Sequence, residues 1–267
     1  MGFFNDLEQR IAAANSLLCV GLDPDASRLP AGLSVLQFNQ AVIGATREFA
    51  CAYKLNFAFY EALGPEGWGA LRETLWYIPR DIPVIADAKR ADIGNTSKAY
   101  AKAIFDELGF NAVTVNPYLG YDAVEPFLEH RDKGLYVLCR TSNPGAADFQ
   151  DLEVKNAGHL EPLYEAVAGK AAQWNVRGNV GLVVGATAID DLRRIRRRHP
   201  EMPFLVPGVG TQGGDLELAV LYGRNFQSAG LIINASRQVI FASSGPDFAE
   251  AAGRAAEKLR DEINRYR

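Results

Sequence analysis

Along this chain, short apolar runs rich in β-branched residues alternate with longer stretches whose apolar positions recur every three to four residues. The first pattern predicts buried strands and the second amphipathic helices. Eight strands are predicted: LLCVGLD (17–23), CAYKLN (51–56), PVIADAK (83–89), AVTVNP (112–117), LYVLCRT (135–141), NVGLVVGAT (179–187), PFLVPGVG (203–210) and GLIINAS (230–236). A helical segment follows each one, near 34–49, 66–78, 96–108, 121–130, 160–174, 189–199, 215–223 and 247–264, and NDLEQRIAAA adds a helix at the front.

Near-continuous apolar strands need cover on both faces, which is the condition of a parallel sheet wrapped by helices. Eight strand–helix units predict an α/β fold of the (β/α)8 TIM barrel type with an additional N-terminal helix. An open doubly wound sheet is the alternative. No Pro- or Ser-rich linker and no shift in composition marks a second domain, so residues 1–267 are expected to form a single barrel domain. The longest unpatterned stretch, SNPGAADFQDLEVKNAGH (142–159), is expected to be a loop that acts as wall or lid.

Composition narrows the classes. With 48% hydrophobic and 22% charged residues, the chain can bury a large core. No apolar run approaches the roughly 20 residues of a membrane span. The start, MGFFNDLEQR, has neither the cationic beginning nor the apolar centre of a signal peptide, so a cytoplasmic protein without a membrane partner is expected. A net charge of -4 argues against nucleic acid as a partner. The basic cluster RRIRRRH (193–199) follows IDD on a helical pattern, where acids at the start and cations at the end suit the helix dipole; it is read as a solvated helix face. Cys19, Cys51 and Cys139 lie in apolar, strand-like runs and are read as reduced core residues. His130, His159 and His199 are placed near helix ends without metal-ligand spacing, so neither a metal site nor a histidine base is expected.

In such a barrel, polar residues at the C-terminal ends of strands point at the site. Those ends carry Asp23, Lys54 and Asn56, Asp87 and Lys89, Thr141 and Ser142, and Asn234, Ser236 and Arg237. Asp87 and Lys89 are two apart, so on a regular strand they leave the same face side by side. Asp92 follows on the connection into the next helix, with Asn95 or Thr96 as its N-cap. Lys54, an isolated ammonium near the barrel centre, requires carboxylate partners to stay charged. A purely structural ion-pair cluster is the bland alternative.

VPGVGTQGGD (206–215) spells GxGxxG, but it falls on the seventh strand, with Ile233 and Asn234 standing where a dinucleotide site has its acid. Its glycines are read instead as a backbone cradle for an anion, opened by Pro207 and leading to a helix near Asp215. Arg237, just past the eighth strand, adds a permanent cation suited to phosphate.

The stretch DAKRADIGNT (87–96) fits D-x-K-x-x-D-I-x-N-T, and with the order of the other elements the chain resembles the orotidine 5'-monophosphate decarboxylases over essentially its whole length, in one of their longer bacterial branches. The resemblance implies cofactor-independent decarboxylation of orotidine 5'-monophosphate to UMP by a homodimer with shared active sites. It implies that Asp23 and Lys54 hold the ribose hydroxyls, with Lys54 also touching Asp87, and that Asp87 and Lys89 flank the reacting carbon. Asp92 and Thr96 are implied to reach into the partner's site, Ile93 to line the pocket for the departing carboxyl group, Ser142 to bond the pyrimidine, and Gln212 with Arg237 to grip the phosphate beside Pro207. The family's arginine commonly follows a glycine, where Ser236 stands here. Rival readings are a metal-dependent sugar-phosphate decarboxylase or aldolase of similar form, which needs a further carboxylate where strand two offers Lys54 and Asn56, a Schiff-base aldolase, and a non-catalytic nucleotide-phosphate binder.

Overall fold

The apolar runs form strands where their composition predicts them. In the computed structural model, which describes residues 2–156, 158–210, 214–227 and 229–267, the strands, two of them (β6 and β7) outside the apolar runs, are β1 (Leu18–Gly21), β2 (Ala52–Asn56), β3 (Val84–Arg90), β4 (Ala112–Val115), β5 (Gly134–Arg140), β6 (Glu153–Asn156), β7 (His159–Pro162), β8 (Val180–Val184), β9 (Phe204–Pro207) and β10 (Leu231–Ala235). All but β6 and β7 close into a parallel barrel in the order β1-β10-β9-β8-β5-β4-β3-β2, completed by pairing of β1 with β2. The helices are α1 (Phe3–Ala14), α2 (Val35–Thr46), α3 (Phe57–Glu61), α4 (Gly64–Tyr77), α5 (Gly94–Lys102), α6 (Tyr121–Leu128), α7 (Leu163–Trp174), α8 (Ile189–Arg198), α9 (Leu216–Gly223), α10 (Arg237–Ile240) and α11 (Phe248–Arg265). Apart from α1, which precedes β1, and α10 and α11, which follow β10, they lie on the strand-to-strand connections, as a TIM barrel requires.

Local chemistry sets several of these boundaries. Ser34 and Gln37 form a reciprocal capping box at the start of α2. Asp215 accepts from the Leu218 N–H and opens α9. Helix α1 buries Phe3, Leu7 and Ile11. Its Phe3 ring lies over Gly134, where an added Cβ would come within 2.2 Å of Phe3 Cδ1, and packs edge-on to Tyr136 at 6.0 Å. That seals one end of the barrel, the end where β5 begins. A ligand therefore enters at the other end, where the strands finish.

Four expectations need correction. The stretch 142–159 is patterned after all: a 3-10 turn spans Pro144–Asp148, and β6 and β7 form an antiparallel hairpin. For the same reason the helix expected from 160 begins at Leu163, and His159 sits on a strand, 3.3 Å from Glu161, rather than near a helix end. The helix expected over 96–108 begins at Gly94, with Ile93 as N-cap and no side-chain cap from Asn95 or Thr96, and passes into a π turn at Ala103–Glu107.

The fourth concerns RRIRRRH, which is not a solvated face throughout. Arg196 is buried, donates to the carbonyls of Gly223, Met202, Pro200 and Gly230, and stacks 3.7 Å from the Phe204 ring centroid. Arg198 pairs with Glu161 and Glu165, and Arg194 with Glu165, which fastens the hairpin and α7 to α8. A guanidinium has enough donors to finish several chain ends at once, which a helix-dipole argument does not anticipate.

The three cysteines are buried and free, and burial pushes the thiols of Cys19 and Cys139 up to about 12. Among the described residues no helix is long and apolar enough to cross a membrane.

Candidate active site

Strands β1, β2 and β3 lie side by side, with Gly21 opposite Lys54 and Asn56 opposite Asp87. This register brings three of the expected residues together. Lys54 is 4% exposed, and its Nζ lies 2.9 Å from Asp87 Oδ2 and 3.8 Å from Asp23 Oδ1. The other oxygen of Asp87, Oδ1, takes Lys89 Nζ at 2.6 Å and the Thr114 hydroxyl at 2.9 Å. Asp87 thus bridges a deep ammonium and a shallow one, since the Lys89 side chain is about half exposed at the barrel mouth.

The electrostatics follow from this packing. Burial alone favours a neutral Asp87, but Lys54 and then Lys89 outweigh it and hold the carboxyl well below the usual carboxylate range. Burial likewise pulls Lys54 down, yet Asp23 and Asp87 leave its ammonium above the ordinary lysine value. Lys54 and Asp87 therefore hold opposite charges at neutral pH, and Lys89 Nζ contacts the same carboxylate. The array is an arrangement for stabilising negative charge beside Lys89 without reorganisation.

The neighbouring cation does other work. Arg90 pairs with Glu61 of α3 and lies over the rings of Phe57 and Tyr100, at 5.7 Å and 5.5 Å. Asp92 is not drawn into its own chain's array: its Oδ1 accepts the Ile93 N–H at 2.8 Å, and it forms no ion pair among the described residues. Ile93 is 62% exposed, and Thr96 is exposed in the first turn of α5. Among the described residues none of the three makes a hydrogen bond or ion pair with the Lys54–Asp87–Lys89 array. Ser142 follows β5, where it packs so closely that a Cβ on Gly185 would come within 2.9 Å of it.

Beside the array, a cleft of about 310 Å³ opens between the ends of β1, β9 and β10 and is lined by Asp23, Asn56, Pro207, Asn234, Ser236 and Arg237. It unites the expected ribose residue Asp23 with the expected phosphate residues Pro207 and Arg237. Gln212 lies outside the described residues. A larger cleft of about 390 Å³, under α1 at the sealed end, holds none of the expected residues and has no chemistry of this kind.

Sequence reasoning missed Thr114, which sits inside an apolar β-branched run where a threonine reads simply as a strand former. It also passed over Asn234 and Ser236 as binding residues, although it marked them as polar strand ends. Asn234 Oδ1 and Ser236 Oγ are buried without hydrogen-bond partners among the described residues, and both flank Gly21, where a Cβ would meet Ser236 Cβ at 2.8 Å. A side chain at position 21 would fill the rim of the cleft.

The family described as "Orotidine 5'-phosphate decarboxylase / HUMPS family" matches residues 16–252. The chain belongs to this family. An orotidine 5'-phosphate decarboxylase of Dehalococcoides mccartyi is 54% identical over 267 residues, covering 100% of this chain and 99% of the relative. The solved OMP decarboxylase of Leishmania donovani is 42% identical, with a TM-score of 0.86 over 100% of this chain and 98% of that one. The UMP synthase of the same organism matches with 44% identity and a TM-score of 0.89, and there the chain spans 56% of the longer protein. The orotidine 5'-phosphate decarboxylase family thus accounts for the barrel, and the array at its mouth carries the D-x-K-x-x-D signature residues Asp87 and Lys89.

Proposed function

We propose that this protein decarboxylates orotidine 5'-monophosphate to UMP, in pyrimidine nucleotide biosynthesis, without a cofactor. The observation that carries the reading is the Lys54–Asp87–Lys89 array at the mouth of a barrel of this family. Breaking the bond from C6 to the carboxylate leaves an electron pair on C6, in a vinyl-type carbanion with no conjugated sink. Stabilisation must come from charge placed in advance. The Lys89 ammonium, half exposed at the mouth, stands beside C6, stabilises the pair as it forms, and then gives its proton to C6 while CO2 departs. The neutral amine left behind regains a proton from solvent.

Asp87 aims Lys89 through the contact of its Oδ1 with Nζ. Its carboxylate also crowds that of the substrate, a repulsion relieved as CO2 leaves, although the stabilisation by Lys89 is the larger contribution. Lys54 and Asp23 hold the ribose hydroxyls, and Ser142 bonds the pyrimidine. Pro207, Gln212 and Arg237 take the phosphate, whose binding energy closes the site. Asp92, Ile93 and Thr96 complete the site of a second subunit in a homodimer. Their lack of any hydrogen bond or ion pair to this chain's array supports this assignment, because a residue that serves its own site would join the array.

The metal-dependent reading fits these residues less well. The Lys54 ammonium already occupies the space between Asp23 and Asp87 where a divalent cation would bind. Following the absorbance change of orotidine 5'-monophosphate, with and without EDTA, tests the proposal. Turnover to UMP unaffected by EDTA is expected. No turnover, or turnover abolished by EDTA and restored by a divalent cation, contradicts it.

A further inference from the structure

Strands β3 and β4 pair in step through Ile85–Ala112 and Ala86–Val113, then lose step and resume at Arg90–Val115. Three residues of β3, namely Asp87, Ala88 and Lys89, therefore stand opposite a single residue of β4, Thr114. This is a bulge, a device that re-aims a side chain. At its end Lys89 adopts a left-handed backbone with φ 47°, one of two non-glycine residues with positive φ among those described. The other, Asn15, is an ordinary helix C-cap. A lysine has no side-chain reason to take this conformation, so its surroundings must impose it.

One hydroxyl is bonded to this turn. Thr114 is 1% exposed, and its Oγ1 accepts the Lys89 backbone N–H at 3.0 Å while donating its own hydrogen to Asp87 Oδ1 at 2.9 Å. The same Oδ1 receives Lys89 Nζ at 2.6 Å. Backbone N–H, hydroxyl, carboxylate and ammonium form a closed ring that leaves from Lys89 and returns to it. We propose that Thr114 is a positioning residue for catalysis: its hydroxyl replaces the β4 ladder partner that Lys89 has lost, holds the left-handed turn, and orients Asp87 so that the ammonium is aimed at the reacting carbon.

The inference rests on the decarboxylase reading above and makes a separate prediction. Of the groups expected to hold ribose and phosphate, Asp23, Lys54 and Arg237 make no hydrogen bond to Thr114 among the described residues. Losing the hydroxyl should disturb the transition state and leave substrate binding in place. Misplacing a reacting group by about 1 Å costs on the order of 100-fold in rate. Thr114→Val, which keeps the shape and removes the hydroxyl, is therefore expected to lower kcat by about 10- to 100-fold with KM within about threefold of wild type. Thr114→Ser should restore kcat to within about threefold, because serine keeps both hydrogen bonds. A crystal structure of Thr114→Val should show Lys89 out of the left-handed region. If Thr114→Val is insoluble, Thr114→Ala is compared with Thr114→Ser by the same criteria. A wild-type kcat in the hydroxyl-free variant, a loss confined to KM, or a serine variant as impaired as the valine one overturns the proposal. An inactive wild type would refute the decarboxylase reading itself, whereas an active wild type with an unimpaired valine variant refutes only the role of Thr114.

Discussion

Lys89 Nζ lies 2.6 Å from Asp87 Oδ1, although the backbone between the two residues is a bulge rather than a regular strand. On a flat strand the i, i+2 spacing alone would put the two side chains side by side. Here the contact is made by a left-handed lysine, and Asp87 turns its other oxygen to Lys54. One carboxylate carries two cations, so removing its charge has consequences for stability as well as for chemistry.

Asp87→Asn should destabilise the fold by about 3 kcal/mol at neutral pH, since it leaves buried Lys54 with Asp23 alone at 3.8 Å. The sign with pH follows from the depressed carboxyl of Asp87. A carboxyl whose folded pKa is lowered contributes stability that is fully present above its unfolded value, about 3.9, and is lost as pH falls through the folded value. The difference between wild type and Asp87→Asn, measured by denaturant unfolding, should be constant from about pH 5 to 8 and shrink below about pH 4. A difference that grows on acidification would show that Asp87 is not ionised in the fold.

Much of this architecture was legible in the chain, for physical reasons. The eight barrel strands are buried on both faces, so they appear as nearly unbroken apolar runs, and polar residues stand out where those runs end. Asp23, Lys54, Asp87 and Arg237 were visible in that way. The β6–β7 hairpin was not, because EVKN and HLEP are largely exposed and carry no apolar alternation; buried Glu161, paired with Arg198, supplies part of the anchoring instead. Burial of Arg196 was hidden for a similar reason, since its partners are carbonyls that leave no trace in sequence. The left-handed Lys89 and the hydroxyl of Thr114 depend on strand register, which no local pattern encodes.

Arg237 lines the cleft at the end proposed to take the phosphate, at the start of α10, with no acidic partner among the described residues. Arg237→Ala should raise KM about 100-fold or more, as expected for loss of a charge-assisted contact of about 3 kcal/mol. Phosphite dianion should partly restore turnover of a nucleoside substrate that lacks the phosphate in the wild-type enzyme. Absence of that activation would show that the phosphate contacts do not drive assembly of the site.

Variants of Asp92 and Lys89 test the proposed sharing of active sites in a homodimer. Lys89→Ala and Asp92→Asn homodimers should each be nearly inactive. After subunit exchange, half of the dimers are hybrids, and each hybrid has one site with intact Lys89 and the partner's intact Asp92. About a quarter of all sites then have wild-type composition, as two-fold symmetry requires. Recovery of about a quarter of wild-type activity is expected. Activity that stays at the parental level, with exchange confirmed by native mass spectrometry, would place Asp92 in its own chain's site.

Whether the Lys89 ammonium acts in the transition state is decided by kcat of Lys89→Ala measured alongside its dissociation constant for UMP. kcat should fall by about 1,000-fold or more, while UMP binds within about tenfold of wild type. A Lys89→Ala enzyme that keeps about a tenth of the wild-type kcat, or that loses UMP binding in proportion to its rate, would contradict that role.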